Sequence, residues 1–173
     1  MSYVIGVDYG SLSCRGVIAD VCDGHIVAEE EFFYPHGILT DSLPDGTPLL
    51  DSWCLQHPGD YLVALDYIIP KLLKESGVPA TQIVGIGVDF TASTVIPLDS
   101  SVRPLCESYP DRPHAWPKLW KHHGALLQAE KLTRLCETYE PEYLRRYGGR
   151  ISSECLTAKG LQVFEEDREI FNA

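Results

Sequence analysis

Apolar positions open the chain in short runs separated by polar turns. Residues 3–7 form one run, closed by Asp8-Tyr9-Gly10-Ser11, and residues 14–21 carry a second, a pattern that predicts strand, turn, strand. Cys22-Asp23-Gly24 supplies an Asp-Gly turn, and residues 25–33 alternate loosely enough for a third strand before Tyr34-Pro35-His36-Gly37 breaks it. Residues 34–56 carry Gly37, Pro44, Gly46 and Pro48 with little periodicity, and read as a long excursion from the sheet. Pro58 suits the first turn of a helix whose apolar face holds Tyr61, Leu65, Ile68, Ile69 and Leu72, with a kink expected at Pro70 and a stop at Ser76-Gly77-Val78-Pro79.

The continuous apolar run 83–88, ending at Asp89, predicts a strand buried on both faces, with residues 94–98 as its partner. Leu119, Trp120, His123, Leu126, Leu127 and Leu135 form a helical stripe that ends before Pro141. A last helix carries Leu156, Val163 and Phe164, with Ser152 or Ser153 as N-cap, Glu154 in the first turn and the acidic residues 165–169 on a solvated face. Strands first, then helix alternating with strand, is an α/β arrangement whose sheet begins antiparallel and continues through crossovers. The chain ends at Ala173 within that last helical pattern, an ending expected of a truncated domain.

Composition narrows the class. A chain of 173 residues with 45% hydrophobic positions is expected to be one globular domain, which excludes disordered and fibrous classes. A net charge of −11 argues against a general nucleic-acid or anionic-membrane surface and favours a small ligand. Six cysteines without a C-x-x-C pair suit reduced thiols. With no signal-peptide pattern at the start and no membrane-length apolar stretch, a cytoplasmic protein is expected.

Two polar clusters can carry chemistry. Gly10 lets backbone approach a phosphate, the hydroxyls of Ser11 and Ser13 and the turn amides can donate to it, and Arg15 adds charge. Asp8 can position a hydrated magnesium ion, although Asp-x-Gly-Ser is also simply a good tight turn. Gly87-Val88-Asp89-Phe90-Thr91-Ala92-Ser93 lies where α/β sheets place ligand crevices; Asp89 and Thr91 can bond sugar hydroxyls and Ala92 leaves room, while Asp89 can equally cap the next turn. Trp116 and Trp120 can face a sugar or pack in a core. His114, His122 and His123 lack the spacing of a zinc set. P-loop, Rossmann and α/β-hydrolase motifs are absent.

The stretch Val4-Ile5-Gly6-Val7-Asp8-Tyr9-Gly10-Ser11, with Ser13 and Arg15, resembles the first phosphate motif of the superfamily that joins sugar kinases and actin, and within it the FGGY carbohydrate kinases. Gln56-His57-Pro58, Gly85-Ile86-Gly87-Val88-Asp89-Phe90-Thr91-Ala92, Lys118-Leu119-Trp120-Lys121-His122-His123 and Arg146-Tyr147-Gly148-Gly149-Arg150-Ile151-Ser152-Ser153-Glu154 resemble ribulokinase segments. Lys74-Glu75-Ser76-Gly77-Val78 does so too. The resemblance implies an RNase H-like domain of the actin/hexokinase type with a mixed sheet, incomplete here, and a second, ATP-binding domain lying outside residues 1–173.

It also implies ATP and Mg2+ as cofactors and L-ribulose as the phosphorylated sugar in pentose and arabinose catabolism, with a homodimer expected for the whole protein. Phosphate and magnesium would fall to Asp8, Gly10, Ser11, Ser13 and Arg15, and the sugar to Asp89, Phe90, Thr91, Ala92, Trp120 and Glu154. The family's base is an Asp expected beyond Ala173, so no catalytic residue is assigned in this chain and the chain alone is expected not to turn over. Ala92-Ser93 stands where glycerol kinases have Arg-Glu, and Cys155 and Leu161 where relatives tend to have Trp. A kinase for another pentulose (D-ribulose or xylulose) and a non-catalytic sugar-binding remnant are the alternatives.

Overall fold

The computed structural model describes residues 1–173, which pack as two compact units: Met1–Gly37 with His57–Thr91, and Ile38–Gln56 with Ala92–Ala173. In unit 1, β1 (Tyr3–Tyr9), β2 (Ser13–Asp20) and β3 (Ile26–Phe33) form the expected antiparallel succession, and α1 (Pro58–Ser76) leads into β4 (Ile83–Phe90). The sheet order is β3-β2-β1-β4, with β4 parallel to β1. A parallel neighbour needs a crossover of helical length, and α1 supplies it.

α1 starts and stops on local chemistry. The His57 side chain accepts a hydrogen bond from the Gly59 amide, Pro58 takes the first helical position, and Gly77 closes the helix in the left-handed region at φ 66° with its amide bonded to Leu73 O. The helix runs on through Pro70 as a single element. Its buried stripe of Ala64, Ile68 and Leu72 meets Ile5, Val7, Cys14 and Ile18 of the sheet. Burying each of the larger side chains is worth about 1.5–3 kcal/mol. The contact is close enough to require glycine at position 16, where a Cβ would stand 2.4 Å from Ile68 Cγ2 and 2.9 Å from Leu72 Cδ1.

Two expectations for β4 change. The strand is not buried on both faces: it is the sheet edge, α1 lies over β2 and β3, and Ile86 and Phe90 are 59% and 68% exposed. Residues 94–98 are not its partner either. Ser93 turns the chain in the left-handed region at φ 62°, after which Val95 pairs with Lys118 and Leu98 with Pro104.

Unit 2 holds α2 (Leu126–Tyr139), α3 (Pro141–Arg146), α4 (Leu156–Glu166) and α5 (Arg168–Asn172), with loops around two small cores. The stripe from Leu119 is helical only from Leu126, because the preceding backbone is spent on loop pairing: Leu119 N donates to Cys54 O, His123 N to Ser52 O, and Lys118 bridges both Val95 and Leu55. α4 begins one turn later than expected, with Cys155 as N-cap. Ser152 Oγ instead accepts from Glu154 N, and Ser153 Oγ bonds His123 Nδ1. The acidic residues 165–169 span the break between α4 and α5, where Asp167 caps α5 and takes a two-bonded grip on Arg112 at 2.6 and 3.1 Å.

The first core of this unit is unusually polar. Lys118 is fully buried with Nζ donating to His114 O and standing 5.5 Å from the Trp53 ring centre, and Lys159 Nζ donates to Ser93 O and Leu119 O. His122 accepts from Cys54 N through Nδ1 and bonds Gln162 Oε1 through Nε2, with the Trp53 ring edge-on. Burial pushes Lys118 down to about 7, Lys159 to about 8, His114 to about 4 and His122 to about 3.

Two measurements check this packing. Gly16→Val is expected to cost at least about 2 kcal/mol in urea unfolding, the scale of overpacking a tight core. For pH the sign follows from proton counts. The unfolded chain binds protons on His114 and His122 below their ordinary range and on the lysines up to theirs, where the folded chain does not, so stability falls as pH drops and rises again above about 7. Lys118→Met should flatten the alkaline part of that rise and leave neutral stability unchanged or higher.

Candidate phosphate and sugar site

The β1–β4 register sets Asp8 directly beside Asp89, and the β1–β2 register sets Arg15 on Asp8's other side. Residues paired in register point to the same face, and alternation puts these three on the face opposite Ile5 and Val7, away from α1. With Gly6, Val17 and Gly87 they line an open groove of about 510 Å3. A Cβ at Gly87 would meet nothing within 4 Å, so the groove floor is bare backbone that a ligand can approach closely.

Charge on this face is arranged for exchange. Arg15 Nη2 donates to Asp8 Oδ2 at 2.8 Å, with the two side chains 60% and 45% exposed, a surface pair that an arriving phosphate can compete with. Asp89 Oδ1 accepts from the Phe90 amide at 2.8 Å, so this carboxylate caps the strand end while it lines the groove. At the tip, Gly10 N donates to Ser13 O at 2.9 Å, and a Cβ on Gly10 would stand 2.9 Å from that same oxygen. Glycine is therefore required by the turn itself. Ser13 is nearly buried, and its hydroxyl donates to Glu31 Oε1 at 2.7 Å; Ser11 sits at the open tip. Behind them, burial and the Asp8 charge push the Cys14 thiol up to about 11, which keeps it protonated and inert.

The structure brings Asp8, Arg15 and Asp89 together, with Phe90 and Thr91 continuing from Asp89; the Thr91 amide donates to Tyr9 O. Ala92, Trp120 and Glu154 belong to unit 2. There Trp120 occupies a turn with its side chain partly exposed, and Glu154 lines a cavity beside α2. Unit 1 also groups His36, His57 and Asp60, whose candidate ligand atoms lie within 4.8 Å of one another. Those atoms already serve the helix start: Asp60 accepts from both the amide and Nδ1 of His36, and His57 Nδ1 accepts from Gly59 N, with the two rings stacked at 4.0 Å.

No family model matches the chain. Ribulokinase from Shouchella clausii is 45% identical over 172 residues, covering 98% of this chain and 31% of that protein. Ribulokinase from Halalkalibacterium halodurans is 44% identical over 173 residues with the same coverage. The chain is related to the ribulokinases throughout its length. It spans about 31% of the length of these curated relatives. Xylulose kinase from Rhodospirillum rubrum superposes with a TM-score of 0.74 at 19% identity, over 99% of this chain and 30% of the other, so the fold is that of a sugar kinase, of the actin/hexokinase-like type.

Within this ribulokinase-related chain, the residues that sequence reading missed are the buried lysines. Lys118 and Lys159 look like ordinary surface cations, yet Lys159 carries the Ser93 carbonyl and so fixes the backbone immediately after Ala92. The only signal in the sequence was the position of Lys118 between Pro117 and Leu119, in a segment too apolar for an exposed helix.

Proposed function

We propose that this chain supplies the phosphate-facing sheet and part of the sugar-binding surface of a kinase that transfers the γ-phosphoryl group of ATP to the 5-hydroxyl of L-ribulose. The observation that carries this reading is the pairing of Asp8 with Asp89 and Arg15 on one open, glycine-floored face, in a chain related to ribulokinases along 98% of its length. Phosphoryl transfer asks little covalent chemistry of the protein and much positioning and charge.

The parts present match those demands. Carboxylate oxygens are the hard donors that hydrated magnesium takes, so Asp8 would hold the ion through water, and the ion when bound neutralises charge on phosphate oxygens. Arg15 exchanges Asp8 for a phosphate oxygen, and Ser11 at the open tip of the turn adds donors to the same group. Asp89, about 4.8 Å away across one strand spacing, accepts from a sugar hydroxyl. Thr91, two residues on, follows Asp89 on the same unit and extends the sugar contacts.

ADP release by the protein as its cell makes it, assayed with L-ribulose, D-ribulose, D-xylulose and glycerol, tests this reading. L-ribulose is expected to give the highest kcat/KM. Asp8→Asn should lower kcat about 100-fold with little change in sugar KM, the loss typical of removing one preorganised charged group. Preference for glycerol, or an Asp8→Asn variant with unchanged kcat, contradicts it. Saturable L-ribulose binding without ADP release would transfer the assignment to a non-catalytic sugar-binding protein.

A further inference from the structure

α2 presents Leu126, Ala129, Glu130, Thr133 and Arg134 along one side, at helical spacing, and this side walls a cavity of about 480 Å3 within unit 2. The facing wall is segment 150–154, with His123 completing the lining. That wall is held in place from behind. Ile151 N donates to Thr133 Oγ1 at 3.0 Å, Thr133 Oγ1 donates to Ala129 O at 2.8 Å, and nearly buried Ser153 bonds His123 Nδ1 at 3.0 Å. The cavity is thus a built feature with a fixed floor.

Its two guanidiniums are not paired within the protein. In this acidic chain Arg15, Arg103, Arg112 and Arg145 each hold a carboxylate. The guanidiniums of Arg134 and Arg150, both lining the cavity, hold none. Two unpaired guanidiniums in one concavity suit an anion with several oxygens, phosphate above all, because each offers a planar pair of donors. Glu130 and Glu154 line the same space, and the Ser152 hydroxyl, which accepts from Glu154 N, keeps its proton for a ligand. Carboxylates beside guanidiniums would repel a bare polyanion but accept hydrogen bonds from hydroxyl groups. No Phe, Tyr or Trp lines the cavity, and the one ring there, His123, is held by Ser153.

We propose that this cavity binds a small sugar phosphate, with the phosphate on Arg134 and Arg150 and sugar hydroxyls on Glu130 and Glu154. The cavity is lined by unit 2 alone, and its binding does not require the Asp8–Asp89 face to turn over. A cavity of this size accommodates a pentose phosphate with room for ordered water.

Calorimetric titration of the 173-residue chain with D-ribose 5-phosphate, D-ribose and inorganic phosphate tests it. The expected result is saturable one-to-one binding of the sugar phosphate, about tenfold tighter than either half alone and weakening with salt. Arg134→Ala and Arg150→Ala should each weaken it about tenfold. The lysine variants should recover part of the loss, and Arg103→Ala should change nothing. Circular dichroism of each variant establishes that these exposed substitutions leave the fold intact. Absence of saturable binding by the folded chain, or unchanged binding in the Arg134→Ala/Arg150→Ala double variant, overturns the proposal. Asp8→Asn separates the two readings. Sugar-phosphate binding that survives it while ADP release is lost supports both, and binding with no ADP release in the unsubstituted protein removes the kinase reading alone.

Discussion

Everything on the candidate phosphate face depends on how closely α1 lies against β2. Ile68 and Leu72 occupy the space that a side chain at Gly16 would need, and that contact seats the crossover helix which delivers β4 parallel to β1. Parallel pairing in this register is what sets Asp8 beside Asp89; a slip of one residue would send one of the two carboxylates to the apolar side under α1. The polar chemistry on one side of the sheet is therefore specified by apolar packing on the other. The same division of labour explains Gly87, which leaves the open face bare where Gly16 leaves the covered face close-packed.

Unit 2 is organised by a different constraint. Its loops, including the excursion that begins at Ile38, converge on Lys118, Lys159 and His122, whose polar atoms tie together carbonyls and amides that no regular ladder satisfies. A buried lysine bonded mainly to carbonyls is a costly way to hold loops, since burial opposes its charge. It has one structural advantage: three donors on a single long stem reach segments far apart in sequence, as Lys159 does in joining Ser93 and Leu119. The unit consequently responds to pH in a direction that the sheet core does not share.

Much of unit 1 was legible from the chain. The three opening strands, the helix from Pro58 and the strand ending at Asp89 all follow from local period and turn chemistry, because in each case neighbours in sequence also decide burial. Errors arose where distant pairing overrode local pattern. The apolar run of β4 suggested burial on both faces, but the helix that would cover it lies over β2 and β3. The stripe at Leu119 had helical spacing, yet Lys118, Leu119 and His123 are held by backbone bonds to residues 52–55 and 95. At the site, the Asp-x-Gly-Ser turn and Asp89 were visible as motifs, and the register joining them was not. Nor could the sequence show that the Ser13 hydroxyl is taken by Glu31.

The central claim is that Asp8 and Asp89 form one face that receives a metal-bound phosphate. The most direct measurement is paramagnetic broadening of amide resonances on adding Mn2+, a stand-in for magnesium, together with ATP. The account predicts that broadening centres on residues 8–11 and 87–89 and is relieved by Asp8→Asn. Broadening centred on His36, His57 and Asp60, or spread evenly over the acidic surface, would contradict it.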